Sequence, residues 1–443
     1  MFTATQSSRI TNFMFGRVAR SLAAGLVLVV ASLCAASDAR AHGERNQEPF
    51  LRMRTAQWYD VKWSASTVNV NDEVTISGKV RLFPDWPSNL PKPDTVFLGN
   101  GTPGPVFART ESYLNGVPMI QSTKLELGRD YEFKTVLKAR IPGMHHVHPL
   151  LNVSGAGPIL GPGNWIEITG DHENFRLPVT TLTGEHIENL ETYGLGTVYA
   201  WHALWIALGA FWLMWWLRRP LLIPRFLAVQ SGAEAGLVTR TDKFLGAALG
   251  IGGILIVVAA FLYTEDKYPR TIPLQAGKAI VEPMPVTGSQ VKLKVLRANY
   301  DVPGRSMRIQ VEVTNGGDHP VSLGEFTTAG LRFINQSVAA AVAGVDPNYP
   351  RDLVARTGIK LDSDAPVQPG ETKILNVDMT DAAWEVERLV SLVNDPDSRF
   401  GGLVFFFDDK GTRIISEIMG PIVPTFVHTP LVAQVAVPLP TRP

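Results

Sequence analysis

Two uncharged runs constrain this chain more than any other feature. Gly196 to Leu217 reads GTVYAWHALWIALGAFWLMWWL, and Phe244 to Tyr263 reads FLGAALGIGGILIVVAAFLY. At a rise of about 1.5 Å per residue the first covers about 33 Å, enough to cross a hydrocarbon core. Runs this long without a charge are rare in soluble cores, so 196–217 and 244–263 are expected to be transmembrane helices. The loop 218–243 between them carries Arg218, Arg219, Arg225, Arg240 and Lys243. Glu188 and Glu191 precede the first run, and Glu265 and Asp266 follow the second. The positive-inside rule therefore places the loop in the cytoplasm and both large flanking segments outside. His202, inside the first run, is expected to pack against a helix or a partner subunit rather than to bind metal.

The amino terminus carries a third apolar run of a different kind. Arg9, Arg17 and Arg20 precede Leu22 to Ala36, and Ala39-Arg40-Ala41 has the small-x-small pattern that signal peptidase reads. Residues 1–41 are thus expected to be a cleaved signal peptide. Cleavage there removes Cys34, the only cysteine, so the mature chain has neither disulfide nor thiolate ligand, which excludes a blue-copper centre. It also makes His42 the first residue, offering an α-amine beside its imidazole. The 41 basic and 41 acidic side chains cancel to a formal net charge of zero, which argues against nucleic acid as a partner.

Both flanking segments read as β-structure. In 42–190, Val74, Ile76, Val80 and Leu82 alternate around Gly78, and turn clusters such as GNGTPGP punctuate the run. In 271–428, Met307, Ile309, Val311 and Val313 alternate before Asn315-Gly316-Gly317, and Leu403 to Phe407 runs into a turn at Asp408-Asp409-Lys410-Gly411. A mainly β protein of two sandwiches joined by a helical hairpin follows. A short helical stretch is expected around Asp381 to Val393, and a Pro-rich tail at 429–443, mobile or wrapped on a partner.

Three of the nine histidines crowd into GMHHVHPLLNV. On a strand, residues i and i+2 share a face, so His146 and His148 point one way and His145 the other. Two such imidazoles with the amine and imidazole of His42 make an all-nitrogen set suited to copper. Zinc is the competing metal, although no general base or nucleophile constellation accompanies these histidines. Glu44 reads equally well as a carboxylate supporting the ligands or as a solvated surface acid.

Several longer stretches carry a resemblance. HGERNQEPFLRMRTAQWYDVKWS, GMHHVHPLLNVSGAGPILGPGNWIEITG, YPRTIPLQAG, GEFTTAGLRFIN and DSRFGGLVFFF are similar, in this order, to the B subunit of the particulate methane and ammonia monooxygenase family, from about His42 to Val427. The resemblance implies two periplasmic cupredoxin-like domains bridged by two transmembrane helices. It places the family's copper ligands on His42, His146 and His148, with His145 just outside the pair. A second, two-histidine site of some methane-oxidising members falls on Gln57 and Arg81. That site is expected to be lacking, since arginine is not a neutral ligand at ordinary pH. The implied activity is copper-dependent oxidation, with dioxygen, of ammonia to hydroxylamine or of methane and short alkanes to alcohols. QWYD and the doubled histidine lean toward the ammonia-oxidising branch. The implied partners are two further integral-membrane subunits, A and C, in a trimer of heterotrimers in a bacterial inner or intracytoplasmic membrane. Two other readings use the same residues. A membrane-tethered copper-delivery protein would be expected to show a Met- or Cys-rich cluster, and a scaffold subunit would hold no metal.

Overall fold

The computed structural model describes residues 47–181, 184–219, 222–269, 277–286, 288–338, 350, 353–355, 358–380 and 390–426. The signal segment 1–41, His42, Glu44, most of the expected helix at 381–393 and the tail 429–443 lie outside the described residues. The end of that helical stretch is a 3-10 turn, Val390–Asn394.

The alternation read from the sequence becomes strands. Val74, Ile76, Val80 and Leu82 lie on Glu73–Leu82 and are all fully buried. Gly78 is demanded by a close approach: a Cβ there would lie 2.9 Å from the Cα of Val61. This strand is second in a five-stranded sheet ordered Ala56–Trp63, Glu73–Leu82, Asp130–Ala139, Phe107–Leu114 and Val117–Pro118. A second sheet packs against it, ordered Lys278–Ala279, Ser122–Thr123, Val96–Gly101, Gly143–Val153, Asn164–Thr169 and Thr67–Asn69, with Gly157–Leu160 also paired to Gly143–Val153. Trp63, Ile76, Tyr131, Phe133, Val147 and Leu151 fill the core between them.

The second sandwich repeats the plan with fewer strands. Met307, Ile309, Val311 and Val313 point inward from Ser306–Asn315, each no more than 3 % exposed. That strand lies between Val291–Asp301 and Thr372–Thr380. The facing sheet runs Leu331–Ile334, Val321–Thr328, Arg399–Asp408, Arg413–Pro421. The expected hairpin is present, its turn made by Gly411 at φ +80°.

Each sandwich borrows a segment from the other side of the chain. Helix α1, Pro49–Thr55, precedes the first sandwich in sequence but places Phe50 and Met53 in the core of the second. Conversely, Lys278–Ala279 adds in parallel to Ser122–Thr123 of the first sandwich, where Val281 joins the core. The linear division into 42–190 and 271–428 therefore does not follow the two cores. Between the sandwiches, Tyr59, Phe83, Leu403, Phe405 and Phe407 form a smaller apolar cluster. Ion pairs surround it: Arg54 to Asp397 at 2.7 Å, Arg81 to Asp130 at 2.6 Å and Arg413 to Asp60 at 2.6 Å. Asp60 sits at a register shift of its strand with φ +53°, which turns it toward Arg413.

The two apolar runs are helices. Helix α2 is Leu195–Leu217, one residue longer than the 196–217 read from the sequence, whereas Arg240–Lys267 extends beyond 244–263 at both ends. Both are long and apolar enough to cross a membrane, and the windows that pass this test are entirely unburied within the chain. The loop between them contains a helix the sequence reading did not anticipate, α3, Ile223–Gln230, so Arg240–Lys267 is α4. Helices α2 and α4 are pinned at both ends. Asp242 accepts hydrogen bonds from Trp215 and Arg219 at 2.8 Å and closes a capping box with Thr239, while the hydroxyls of Tyr193 and Tyr268 meet at 3.2 Å. His202 faces outward and its Nδ1–H donates to the Val198 carbonyl of its own helix at 2.8 Å.

Candidate metal centre

The strand Gly143–Val153 is the backbone of the site. Ladder partners hold it on both sides: Gly101 lies opposite His148, and Trp165 opposite His146. Val147, Leu151 and Val153 are fully buried, so the odd-numbered side faces the core and the even-numbered side looks outward. His146 and His148 fall together on that outer side. His145 is turned to the opposite side, where its Nε2–H donates to the Ile141 carbonyl at 2.9 Å.

The two imidazoles meet edge to face, ring centroids 4.4 Å apart at 87°. Nδ1 of His148 lies 2.8 Å from the Gly161 carbonyl. A carbonyl only accepts, so Nδ1 carries the proton, and in the neutral ring Nε2 is the lone-pair nitrogen. Nε2 of His148 lies 3.0 Å from Nδ1 of His146. Two nitrogens each about 2.0 Å from one ion, and at right angles, would lie about 2.8 Å apart, so the pair fits adjacent positions of one metal ion. The hydrogen bond to Gly161 is the kind that fixes the tautomer and aim of a metal-binding histidine.

The surroundings come from the loop Gly161-Pro162-Gly163 and the strand after it. A Cβ on Gly163 would lie 2.3 Å from Cε1 of His148 and 2.7 Å from Cε1 of His146, so only glycine lets the backbone pass this close. Trp165, 52 % exposed, covers the other side of His146 with ring centroids 4.8 Å apart. Sequence reasoning assigned no role to Gly161, Gly163 or Trp165. The GPGNW string, two glycines ahead of an aromatic, is the signal that was available.

Among the described residues, no group of three or more His, Cys, Asp or Glu side chains is assembled as a metal site. The structure thus brings together two of the three residues expected from the sequence, and His42 falls outside its description. Gln57 and Arg81 are directly paired across neighbouring strands. Gln57 donates to the Arg52 carbonyl at 3.1 Å, and Arg81 is held between Asp130 at 2.6 Å and Glu417 at 2.5 Å. Burial pushes the Glu417 carboxyl above its ordinary value against the pull of Arg81, and burial, then Asp130, push the Tyr59 phenol well above its own. Two clefts, about 480 and 590 Å³, lie between the sandwiches and share Tyr59, Lys79 and Arg413. Neither is lined by His146 or His148.

Fold and site together define a double β-sandwich protein with a pair of membrane-length helices and a paired-imidazole face. The chain belongs to the family of monooxygenase B-subunit proteins, whose model matches residues 43–426. It is 46 % identical over 413 residues to the particulate methane monooxygenase alpha subunit of Methylococcus capsulatus (strain Bath), an alignment covering 93 % of this chain and 99 % of that one. Among solved structures it is similar to the cupredoxin domain of amoB from Nitrosocaldus yellowstonii, at 17 % identity and a TM-score of 0.23 over 27 % of this chain and 91 % of that one. It is also similar to a PapD-like domain of human CEP192, at 10 % identity and a TM-score of 0.16 over 36 % of this chain and all of that one. Neither structural likeness is close enough to bear on function. The chain is one component of a multi-subunit monooxygenase.

Proposed function

We propose that this chain is the copper-binding, membrane-anchored B subunit of a copper-dependent monooxygenase that oxidises ammonia to hydroxylamine, or methane and short alkanes to alcohols, with dioxygen. His42, His146 and His148 hold the ion. The observation that carries this reading is the paired face itself: two imidazole nitrogens 3.0 Å apart, one ring locked into the ligating tautomer by the Gly161 carbonyl. Copper suits an all-nitrogen set and supplies one-electron and dioxygen chemistry when bound. The chain's own part is to aim the rings. Gly163 admits the backbone beside them, Trp165 restricts His146, and Gly161 orients His148.

The position of Gln47 supports a role for His42. Its N–H donates to the Pro158 carbonyl at 3.0 Å and its side chain to Ala156 at 2.9 Å. Pro158 faces Asn152 across the ladder. From Asn152 to His148 is about 13 Å along the strand. Five residues from His42 to Gln47 extend up to about 17 Å, a length of chain sufficient for that span.

The apolar helices and the basic loop support a two-pass protein of the bacterial inner or intracytoplasmic membrane, with both sandwiches in the periplasm. The partners are two integral-membrane subunits, A and C, in a trimer of heterotrimers. Copper analysis and EPR of the purified complex, followed by oxygen uptake with ammonia and with methane, test the reading. Nitrogen-coordinated copper that is lost in His146→Ala, together with substrate-dependent oxygen uptake, is expected. A complex fully active with this chain free of copper would overturn the metal assignment.

A further inference from the structure

The loop between α2 and α4 has a surface that neither sandwich uses. On α3, Phe226, Leu227 and Val229 are each more than half exposed, as is Leu222 just before it. Phe226 and Val229 are spaced i, i+3 and so share one face of the helix, with Leu222 exposed at its N-cap. An apolar face on so short a helix is costly in water. This helix, however, begins six residues after Leu217, which with Trp215 and Trp216 ends a membrane-length helix.

Charge accompanies the apolar face. The Arg218 guanidinium lies 4.5 Å from the ring centre of Trp215, and that of Arg225 lies 5.4 Å from the ring centre of Trp216. Arg219 spends its charge on Asp242 at 2.8 Å. Glu234 and Asp242 are the only acids against five cations in 218–243, and no carboxylate among the described residues pairs with Arg218 or Arg225. Indole faces brace both guanidiniums while leaving their N–H edges to an outside acceptor. We propose that this loop docks on anionic phospholipid headgroups, Arg218 and Arg225 taking phosphate oxygens while Leu222, Phe226 and Val229 enter the acyl boundary. The inference rests on α2 and α4 crossing the membrane.

The test uses the whole complex in phosphatidylcholine vesicles doped with photoactivatable phosphatidylglycerol or, separately, photoactivatable phosphatidylcholine, with crosslinks mapped to peptides by mass spectrometry. Peptides of α2 and α4 should take label from both lipids. If they take none, the membrane reading itself fails. The peptide spanning 218–230 should favour phosphatidylglycerol about fivefold or more, since one arginine near an anionic surface is worth about that factor. In R218Q/R225Q the preference should fall toward unity. Labelled helices with an unbiased loop, or a bias that survives the double substitution, overturn the proposal. So does an unlabelled loop in a complex that sheds a partner subunit on R218Q/R225Q, because a protein would then occupy the face. Should the variant fail to accumulate, salt decides on the unmodified complex: a preference undiminished at about 1 M, where the Debye length is about 3 Å, overturns it as well.

Discussion

The two sandwiches are built alike and use their outer faces differently. In the first, the strand Gly143–Val153 alternates strictly from Val147 onward, one side in the core and the other looking out. In the second, the strand Arg399–Asp408 is buried at every position except its two ends, because its outer side receives the aromatic cluster around Tyr59. A strand needs one face in a core to be held rigid, and a metal site needs the opposite face open to ligands and solvent. The first sandwich keeps such a face, and the second gives its own to the joint between the two. That division of labour explains why paired imidazoles sit on one and not on the other.

The largest expected effect lies on the open face. His146→Ala or His148→Ala should empty the site of copper, whereas His145→Ala, on the other side of the strand, should leave most of it, as metal analysis of the purified complex would register. Equal losses in all three would mean that strand alternation does not govern the site. A matched pair of glycine substitutions sharpens the contrast. Gly163→Ala drives a methyl into both histidine rings and should lower copper affinity by at least about tenfold, about 1.4 kcal/mol, with the urea midpoint hardly moved. Gly402→Ala, whose Cβ would lie 2.6 Å from the Phe326 ring, should cost about 1–3 kcal/mol of stability and leave copper alone. If the two exchanged phenotypes, the comparison would be wrong.

One alanine added ahead of His42, with cleavage adjusted to suit, converts the α-amine to an amide and should weaken copper about tenfold. Copper titration should be done on the whole chain, because residues 42–190 alone would lack the strand at Lys278–Ala279 and the core residue Val281. Unchanged affinity would mean that His42 binds through its ring alone or not at all.

The smallest effect belongs to the joint. Burial alone would raise the Asp60 carboxyl, but the hydrogen bonds and charge of Arg413, with Lys79, outweigh it and hold Asp60 below the ordinary carboxylate range. A depressed folded-state value means that the stabilisation is complete above the unfolded value, about 4, and is lost as pH falls through the lower folded one. Stability should therefore decline below about pH 4 through this pair, and Asp60→Asn should flatten that part of the profile in urea titrations. Glu417 works in the opposite sense. Its raised value means that its ionised form is the costly one in the fold, so acid relieves it. An acid profile identical in Asp60→Asn and the unmodified chain would remove Asp60 from the account.

The sequence on its own determined whatever repeats with a short period. Uncharged length marked α2 and α4, alternation of two placed Val74 to Leu82 and Met307 to Val313 in their cores, and the same alternation put His146 and His148 on one side with His145 on the other. These are local properties, set by backbone geometry within a few residues. Only the tertiary structure decided which segments share a core and what surrounds the histidines. Nothing local in PFLRMRT marks it for the second sandwich, nor in the residues after α4 for the first, since each finds its partner more than a hundred residues away. Gly163 and Trp165 stand beside the imidazoles because Asn164–Thr169 returns antiparallel to the histidine strand, a pairing that depends on register across a turn and leaves no periodic trace in either strand.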